Sequence, residues 1–312
     1  MLPVQQCPYI PSGILSNTLL HCTTWAVSSA SSTHSMRDIA GMRIARIWRM
    51  THAIVPGAGL DWNATADDYA RFRPTYPTSY FDILRTLGIG RPGQRILDLG
   101  AGTGALALPF ARTGAQVVAL DASAGQLEKL RLKAGKEGVD VRTVHARAEE
   151  TGLPSGEFDA VTASMCWDYF DPNAIRKEVL RLLKPSGLLL VSSLLWAPED
   201  PIAKETDALV LRYNPDSSRS RRDRLFVPVP SWCEPPLKLR GYLAWREALP
   251  FTAESWRGRI RASKWIGAAL PPARVESIDH DHAELIARLA PTAPGTFGIQ
   301  HDIVLRLARV EA

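Results

Sequence analysis

The feature that most constrains this chain is a short apolar run ending in glycines, Arg95-Ile-Leu-Asp-Leu-Gly-Ala-Gly-Thr-Gly104. Residues 95–99 read as a strand, and a helix is expected over 104–113. Gly100, Gly102 and Gly104 let the backbone turn tightly and let a ligand approach where a Cβ would block it. The helix that follows offers free N–H groups to that ligand. A second strand expected over Gln116–Leu120 brings Asp121 to the same edge, where a carboxylate can accept both hydroxyls of a ribose.

The glycines alone do not choose the ligand. Gly100, Gly102 and Ala105 also satisfy the dinucleotide spacing G-x-G-x-x-G/A, so a nicotinamide-dependent oxidoreductase is a rival reading. Asp98 argues against it, because a pyrophosphate would be repelled by a carboxylate so close. That position suits the amino acid end of S-adenosylmethionine instead. Gly104 adds a third glycine off the dinucleotide spacing.

The rest of the chain alternates strand and helix. Helices are expected over 63–73, with Thr65-Ala-Asp-Asp68 as a capping box, and over 78–87. Strands are expected over Val141–His145, Phe158–Ser164 and Gly187–Leu194. Helices are expected over Ser123–Gly135 and Asn173–Leu183. These strands are short and apolar, as strands buried on both faces are, and the alternation implies parallel βαβ units in a doubly wound sheet. After Trp196 the period is lost. Pro198–Arg240 reads as an insertion over the sheet, with a helix near Ile202–Tyr213. A strand over Gly241–Leu249, helices over Thr252–Ala269 and His282–Leu289, and a last strand over His301–Val310 follow.

Composition narrows the class. The chain has 312 residues, 46% hydrophobic and 22% charged, the balance of a globular protein. The net charge of +5 is too small to imply a nucleic-acid footprint by itself. Cys7, Cys22, Cys166 and Cys233 are scattered, without the spacing of a zinc site or a disulfide framework. The first fifty residues are rich in Ser and Arg and poor in acids, as a transit peptide is. We favour the plainer reading, an extension of little structure with translation starting at Met50. The expected division is therefore an extension over 1–50, a core over 51–195, a cap and acceptor-side segment over 196–270, and a closing helix and strand over 271–312.

The segments around the glycines resemble, in order and spacing, the class I S-adenosylmethionine-dependent methyltransferases of the type 11-like, small-molecule kind. The resemblance begins at Tyr69-Ala-Arg-Phe-Arg-Pro-Thr-Tyr-Pro77. It continues through Asp98–Gly104, Val118-Ala-Leu-Asp121, Ala146-Arg-Ala-Glu149, Leu153-Pro154, Phe158-Asp-Ala-Val161 and Leu183-Lys-Pro-Ser-Gly187. It implies an α/β, Rossmann-like doubly wound sheet of seven strands, the last antiparallel, with a helical cap. It implies that Gly100, Ala101, Gly102 and Gly104 shape a methionine pocket, that Asp121 holds the ribose, and that Ala122, Arg147 and Ala148 line the adenine. Arg147 departs from the Asp often found there, which leaves a backbone contact. Ser164 and Met165 would lie beside the methionine, and Tyr69 and Arg73, four apart on one helix face, would close over the cofactor.

Further residues carry candidate roles. Asp168, in Cys166-Trp-Asp-Tyr-Phe-Asp171, is a general base, a cap for the helix at Asn173, or a solvated side chain. Trp167 either meets substrate or packs. Arg257 and Arg261, four apart, either bind an acidic substrate group or form ion pairs with the core. Asp279-His-Asp-His282 reads as solvated surface, His145 and His301 as strand residues, and Arg219–Arg224 as a solvated loop. The expected activity is methyl transfer from S-adenosylmethionine to an O, N, S or C atom of a small molecule in the cytoplasm, with no metal and no membrane partner. A nucleic-acid or protein methyltransferase, and a non-catalytic adenosyl-binding module, stay open beside it.

Overall fold

A computed structural model describes residues 65–73, 75–217, 229–290 and 295–311. The N-terminal extension, the start of the first helix and the Arg219–Arg224 run lie outside the described residues. Two helices, α1 (Ala66–Phe72) and α2 (Thr78–Thr86), lead into β1 (Arg95–Leu99), α3 (Ala107–Arg112), β2 (Gln116–Asp121), α4 (Ala124–Glu137) and β3 (Val141–His145). Next come β4 (Phe158–Ser164), α5 (Pro172–Leu182), β5 (Leu183–Trp196) and α6 (Pro201–Tyr213). The last elements are β6 (Leu237–Phe251), α7 (Ala253–Arg261), α8 (Pro272–Leu289) and β7 (Phe297–Val310).

The strands form one seven-stranded sheet in the order β3-β2-β1-β4-β5-β7-β6. The first five strands pair in parallel, and β7 runs antiparallel to both β5 and β6. The order reverses beside β1, which opens a crevice at the carboxyl ends of the strands. Both faces of the sheet are covered, as the apolar strands imply. Ile96, Val117, Ala119, Leu188 and Leu190 enter one core, while Leu97, Leu99, Val118, Leu120, Leu189 and Val191 enter the other.

Several boundaries differ from the expectations for local reasons. Thr65 makes no side-chain cap bond to α1, so the capping box is not formed there. A capping box does form at α7, where Thr252 and Ser255 each accept the other's backbone N–H. The cap of α5 is Asp171, which accepts from Asn173 and Ala174, so Asp168 is not the cap. α3 starts three residues later than expected because the glycine turn runs on to Leu106. β6 is longer than expected, since it pairs with β7 along its length from Leu237↔Val310 to Phe251↔Phe297. Part of the segment expected as a cap is therefore the sheet's edge strand. α8 extends back to Pro272, whose ring suits the first helical position, so the Asp279–His282 run is helical rather than a loop. Among the described residues, no helix is long and apolar enough to cross a membrane.

Two glycines bring α1 against α7. A Cβ on Gly258 would overlap the ring of Phe72, and one on Gly267 would overlap the backbone of Arg261 and approach Thr65. Arg261 ties the same pair by donating to Asp68 from Nε at 2.9 Å. Gly258→Ala gains about 1 kcal/mol of helix propensity but forces a buried ring aside at a cost of about 1–3 kcal/mol. It should lower stability in urea melts and shift α1; a variant as stable as the parent would contradict this packing.

Candidate active site

The crevice is built first by backbone. Gly100, Gly102 and Gly104 have φ of 61°, 56° and 91°, the left-handed region where glycine alone is unstrained. The loop is fixed from β2. The Gly102 N–H donates to one carboxylate oxygen of Asp121 at 2.8 Å, and the Ser123 N–H donates to the other at 2.8 Å. Each oxygen keeps acceptor capacity for a further donor. Burial pushes the Asp121 carboxyl up, and these N–H groups pull it back. A Cβ on Gly100 would lie 2.8 Å from Cβ of Cys166, whose thiol donates to the Leu99 carbonyl at 3.1 Å. The third glycine does a different job: a Cβ on Gly104 would meet Leu108 at 2.9 Å and Leu130 at 3.1 Å, so it sets the packing of α3 and α4.

Helix α1 roofs the loop. A Cβ on Gly102 would sit 3.4 Å from Cε1 of Tyr69, and the Arg73 guanidinium stacks 4.9 Å from the Tyr69 ring centroid. Beside them, Gln126 is buried and its Oε1 has no hydrogen-bond partner. A buried acceptor without a donor is costly, and it faces the loop where a ligand's N–H or O–H would satisfy it. Asp98 is 2% exposed and accepts from Thr162 Oγ1 at 2.7 Å. Burial, with Asp121 nearby, raises its carboxyl to about 7.

A chain of hydroxyls closes the carboxyl end of β4. Tyr76 bonds Ser164, Ser192 bonds Ser164 at 2.8 Å, and Tyr80 bonds Ser192 at 2.8 Å. Met165 follows with φ 64°, a left-handed conformation costing about 1–3 kcal/mol in a non-glycine residue. Its N–H donates to the Ser192 carbonyl and its sulfur accepts from the Leu194 N–H, each at 3.0 Å, which turns Met165 toward β5. On the β2 side, Ala122 is exposed and its carbonyl contacts His145 Nε2 at 3.0 Å. Ala148 is buried, while Arg147 is exposed and paired with Glu149 at 3.5 Å.

Residues 97–191 match the family model described as a methyltransferase domain. Over 124 residues, 38% of this chain and 48% of the relative, the sequence is 40% identical to the ubiquinone/menaquinone biosynthesis C-methyltransferase of Vibrio campbellii. It is 34% identical over 141 residues, 45% of this chain and 54% of the relative, to an uncharacterised methyltransferase of Mycobacterium tuberculosis. A solved structure provisionally assigned as a type II methyltransferase from Anaeromyxobacter dehalogenans superposes with a TM-score of 0.53 at 22% identity, covering 77% of this chain and 99% of that one. Residues 97–191 therefore carry a methyltransferase domain. The chain spans about half the length of the curated relatives it matches.

The fold gathers Tyr69, Arg73, Asp98, the three glycines and Asp121 around one crevice edge, but not every expected site residue. Asp168 is exposed on the short 3₁₀ turn Trp167–Tyr169. Trp167 packs on Trp232 at 5.2 Å between ring centroids. Arg257 pairs with Asp279, and Arg261 pairs with Asp68 and with Asp279 at 2.6 Å, so both are neutralised by acids of α1 and α8. The guanidinium left over is Arg259, two residues from each and so about 200° round the helix from both. The sequence run Trp256–Arg261 shows all three arginines, but only burial and partners set the middle one apart. Tyr76, Tyr80 and Ser192 were also missed, because isolated hydroxyls show their partners only once β4, β5 and α2 are assembled.

The raised Asp98 carboxyl has a pH consequence. Unfolded, an Asp ionises near 3.9, whereas folded Asp98 holds its proton to about 7. Its contribution to stability is therefore full below pH 3.9 and is lost as pH rises to about 7. Asp98→Asn keeps an acceptor for Thr162 without the charge. It should be more stable than the parent at pH 8 by up to about 4 kcal/mol, with the advantage shrinking toward pH 4.5. An equal difference at both pH values in urea melts would refute the burial argument.

Proposed function

We propose that this protein is a cytoplasmic S-adenosylmethionine-dependent methyltransferase acting on a small-molecule acceptor. The observation that carries the reading is the Asp121 carboxylate at the end of β2, bonded to the N–H of Gly102 in a loop of left-handed glycines. The donor and acceptor set fits the cofactor. Asp121 retains acceptor capacity for ribose hydroxyls. Gln126 Oε1 lacks a donor beside the loop. Asp98 becomes anionic near neutral pH, which suits an ammonium or sulfonium nearby.

Ala122 and Ala148 would flank the adenine. Gly100, Ala101 and Gly102 would line the methionine side, with Gly104 supporting the turn from the α3–α4 packing, Tyr69 and Arg73 closing from above and Ser164 and Met165 below. The cofactor, when bound, would supply an activated methyl group on a sulfonium, the carbon–sulfur electron pair staying on sulfur when that methyl leaves. The protein's part is then positioning the acceptor in line and excluding water. Where the acceptor carries a proton, Asp168 at the rim is the carboxylate we assign to take it. The names of the matched relatives, among them a ubiquinone biosynthesis O-methyltransferase of Dinoroseobacter shibae that is 42% identical over 103 residues, 33% of this chain and 42% of that relative, favour a small-molecule acceptor. We divide the chain accordingly into a cofactor core over 51–195, a cap and acceptor-side segment over 196–270, and a closing helix and strand over 271–312.

Calorimetric titration with S-adenosylhomocysteine, S-adenosylmethionine and NAD tests the reading. Both adenosyl compounds should bind in the micromolar range and NAD should not. Binding of NAD without either adenosyl compound would sink it.

A further inference from the structure

Helix α7 carries three arginines, and two are accounted for. Arg257 and Arg261 meet Asp279 and Asp68. Arg259 is 4% exposed and no acid among the described residues pairs with it. Its Nε is buried without a hydrogen-bond partner. Its guanidinium lies 5.2 Å from the Trp196 ring centroid, and its electrostatic neighbours are Arg73 and the tyrosines Tyr69, Tyr169 and Tyr76. The acid close to Trp196, Asp207, accepts from the indole Nε1 at 2.9 Å. Burial and the nearby Arg73 pull Arg259 down to about 9.

A buried cation facing a second cation costs the free protein stability, and a stack on an indole offsets only part of that. A bound anion would offset much of that cost, with charge-assisted, two-pronged hydrogen bonds that a guanidinium forms well with a carboxylate.

The position of Arg259 separates its anion from the cofactor's ribose end. Trp196 is the last residue of β5 and pairs with His301 of β7. Asp121 ends β2, and β2 and β5 are separated by β1 and β4. At about 4.8 Å per strand this is roughly 14 Å across the crevice edge. On the reading above the ribose end of the cofactor would lie on the β1–β2 side, whereas Arg259 is anchored beside Trp196 at the end of β5, toward the acceptor side, with Arg73 and Tyr69 as its neighbours from α1.

We propose that Arg259 binds a carboxylate of the methyl acceptor, so that the substrate is a carboxylate-bearing small molecule seated between Trp196 and Tyr169. The inference rests on the methyltransferase reading above and deepens it. It also explains why a helix that pairs its outer arginines leaves the inner one unpaired.

Benzoate and its neutral analogue benzamide are suitable probes, titrated into the full chain with and without saturating S-adenosylhomocysteine. Benzoate should bind the cofactor-saturated protein at millimolar concentration, and benzamide at least tenfold more weakly. Arg259→Met should weaken benzoate at least tenfold and leave S-adenosylhomocysteine affinity within twofold. The same variant should melt at a higher temperature than the parent when ligand-free, since it removes an unpaired buried charge. Arg259→Lys, which keeps the charge but not the fork, should retain part of the benzoate binding. A tenfold loss of S-adenosylhomocysteine affinity in Arg259→Met would assign the anion to the cofactor's own carboxylate and overturn the proposal. A lower melting temperature with unchanged benzoate binding would make Arg259 a packing residue and overturn it too. Benzoate binding absent from a parent protein that does bind S-adenosylhomocysteine rejects this inference alone. Failure of both adenosyl compounds to bind rejects the underlying methyltransferase reading.

Discussion

Two backbone N–H groups converging on the Asp121 carboxylate are the interaction on which the rest of the crevice depends. They join the end of β2 to the turn after β1 and to the start of α4, through Gly102 and Ser123. The turn can present its N–H groups this way only because its residues sit in the left-handed region, which favours glycine at 100 and 102. With that turn in place, Tyr69 can lie over Gly102 and Cys166 against Gly100. The roof and floor of the crevice therefore both take their position from one carboxylate and two glycines.

The outer shell is held by different forces. α1, which bears Tyr69 and ends at the extended C-cap Arg73 rather than carrying it on the same helix face, is clamped to α7 by close packing of Phe72 on Gly258 and by the Asp68–Arg261–Asp279 bridge. α7 follows directly from β6, and β6 hangs on β7. The antiparallel half of the sheet thus reaches the crevice through a helix contact rather than through strand ends. The sharing of ion pairs within α7 explains why Arg257 and Arg261 serve structure while Arg259 faces inward.

Much of the parallel half was legible in the sequence. β1 and β4 have the bounds that their apolar runs imply, because strands buried on both faces carry a strong apolar signal, and the edge strand β3 also has its expected bounds. The grouping of Asp98, the glycines and Asp121 at one edge followed from the βαβ alternation. The antiparallel half was read less well. β6 holds Lys238, Arg240, Arg246 and Glu247, since an edge strand exposes part of its surface, and its length comes from pairing with β7. The start of α8 was not legible because residues 272–281 bury only Ile278, which is too little for a helical period to show. Arg259 and the Tyr76–Ser164–Ser192–Tyr80 chain escaped because their meaning lies in partners, or the lack of them, far away in sequence.

The central claim is that Asp121 holds a ribose, and a thermodynamic cycle tests it most directly. The affinity of S-adenosylhomocysteine and of its 2′,3′-dideoxyribose analogue is measured calorimetrically for the parent protein and for Asp121→Ala. The account predicts that either change alone weakens binding by tenfold or more, and that the second change then adds little. Full additivity of the two losses, or an Asp121→Ala variant that binds S-adenosylhomocysteine as tightly as the parent, would contradict it.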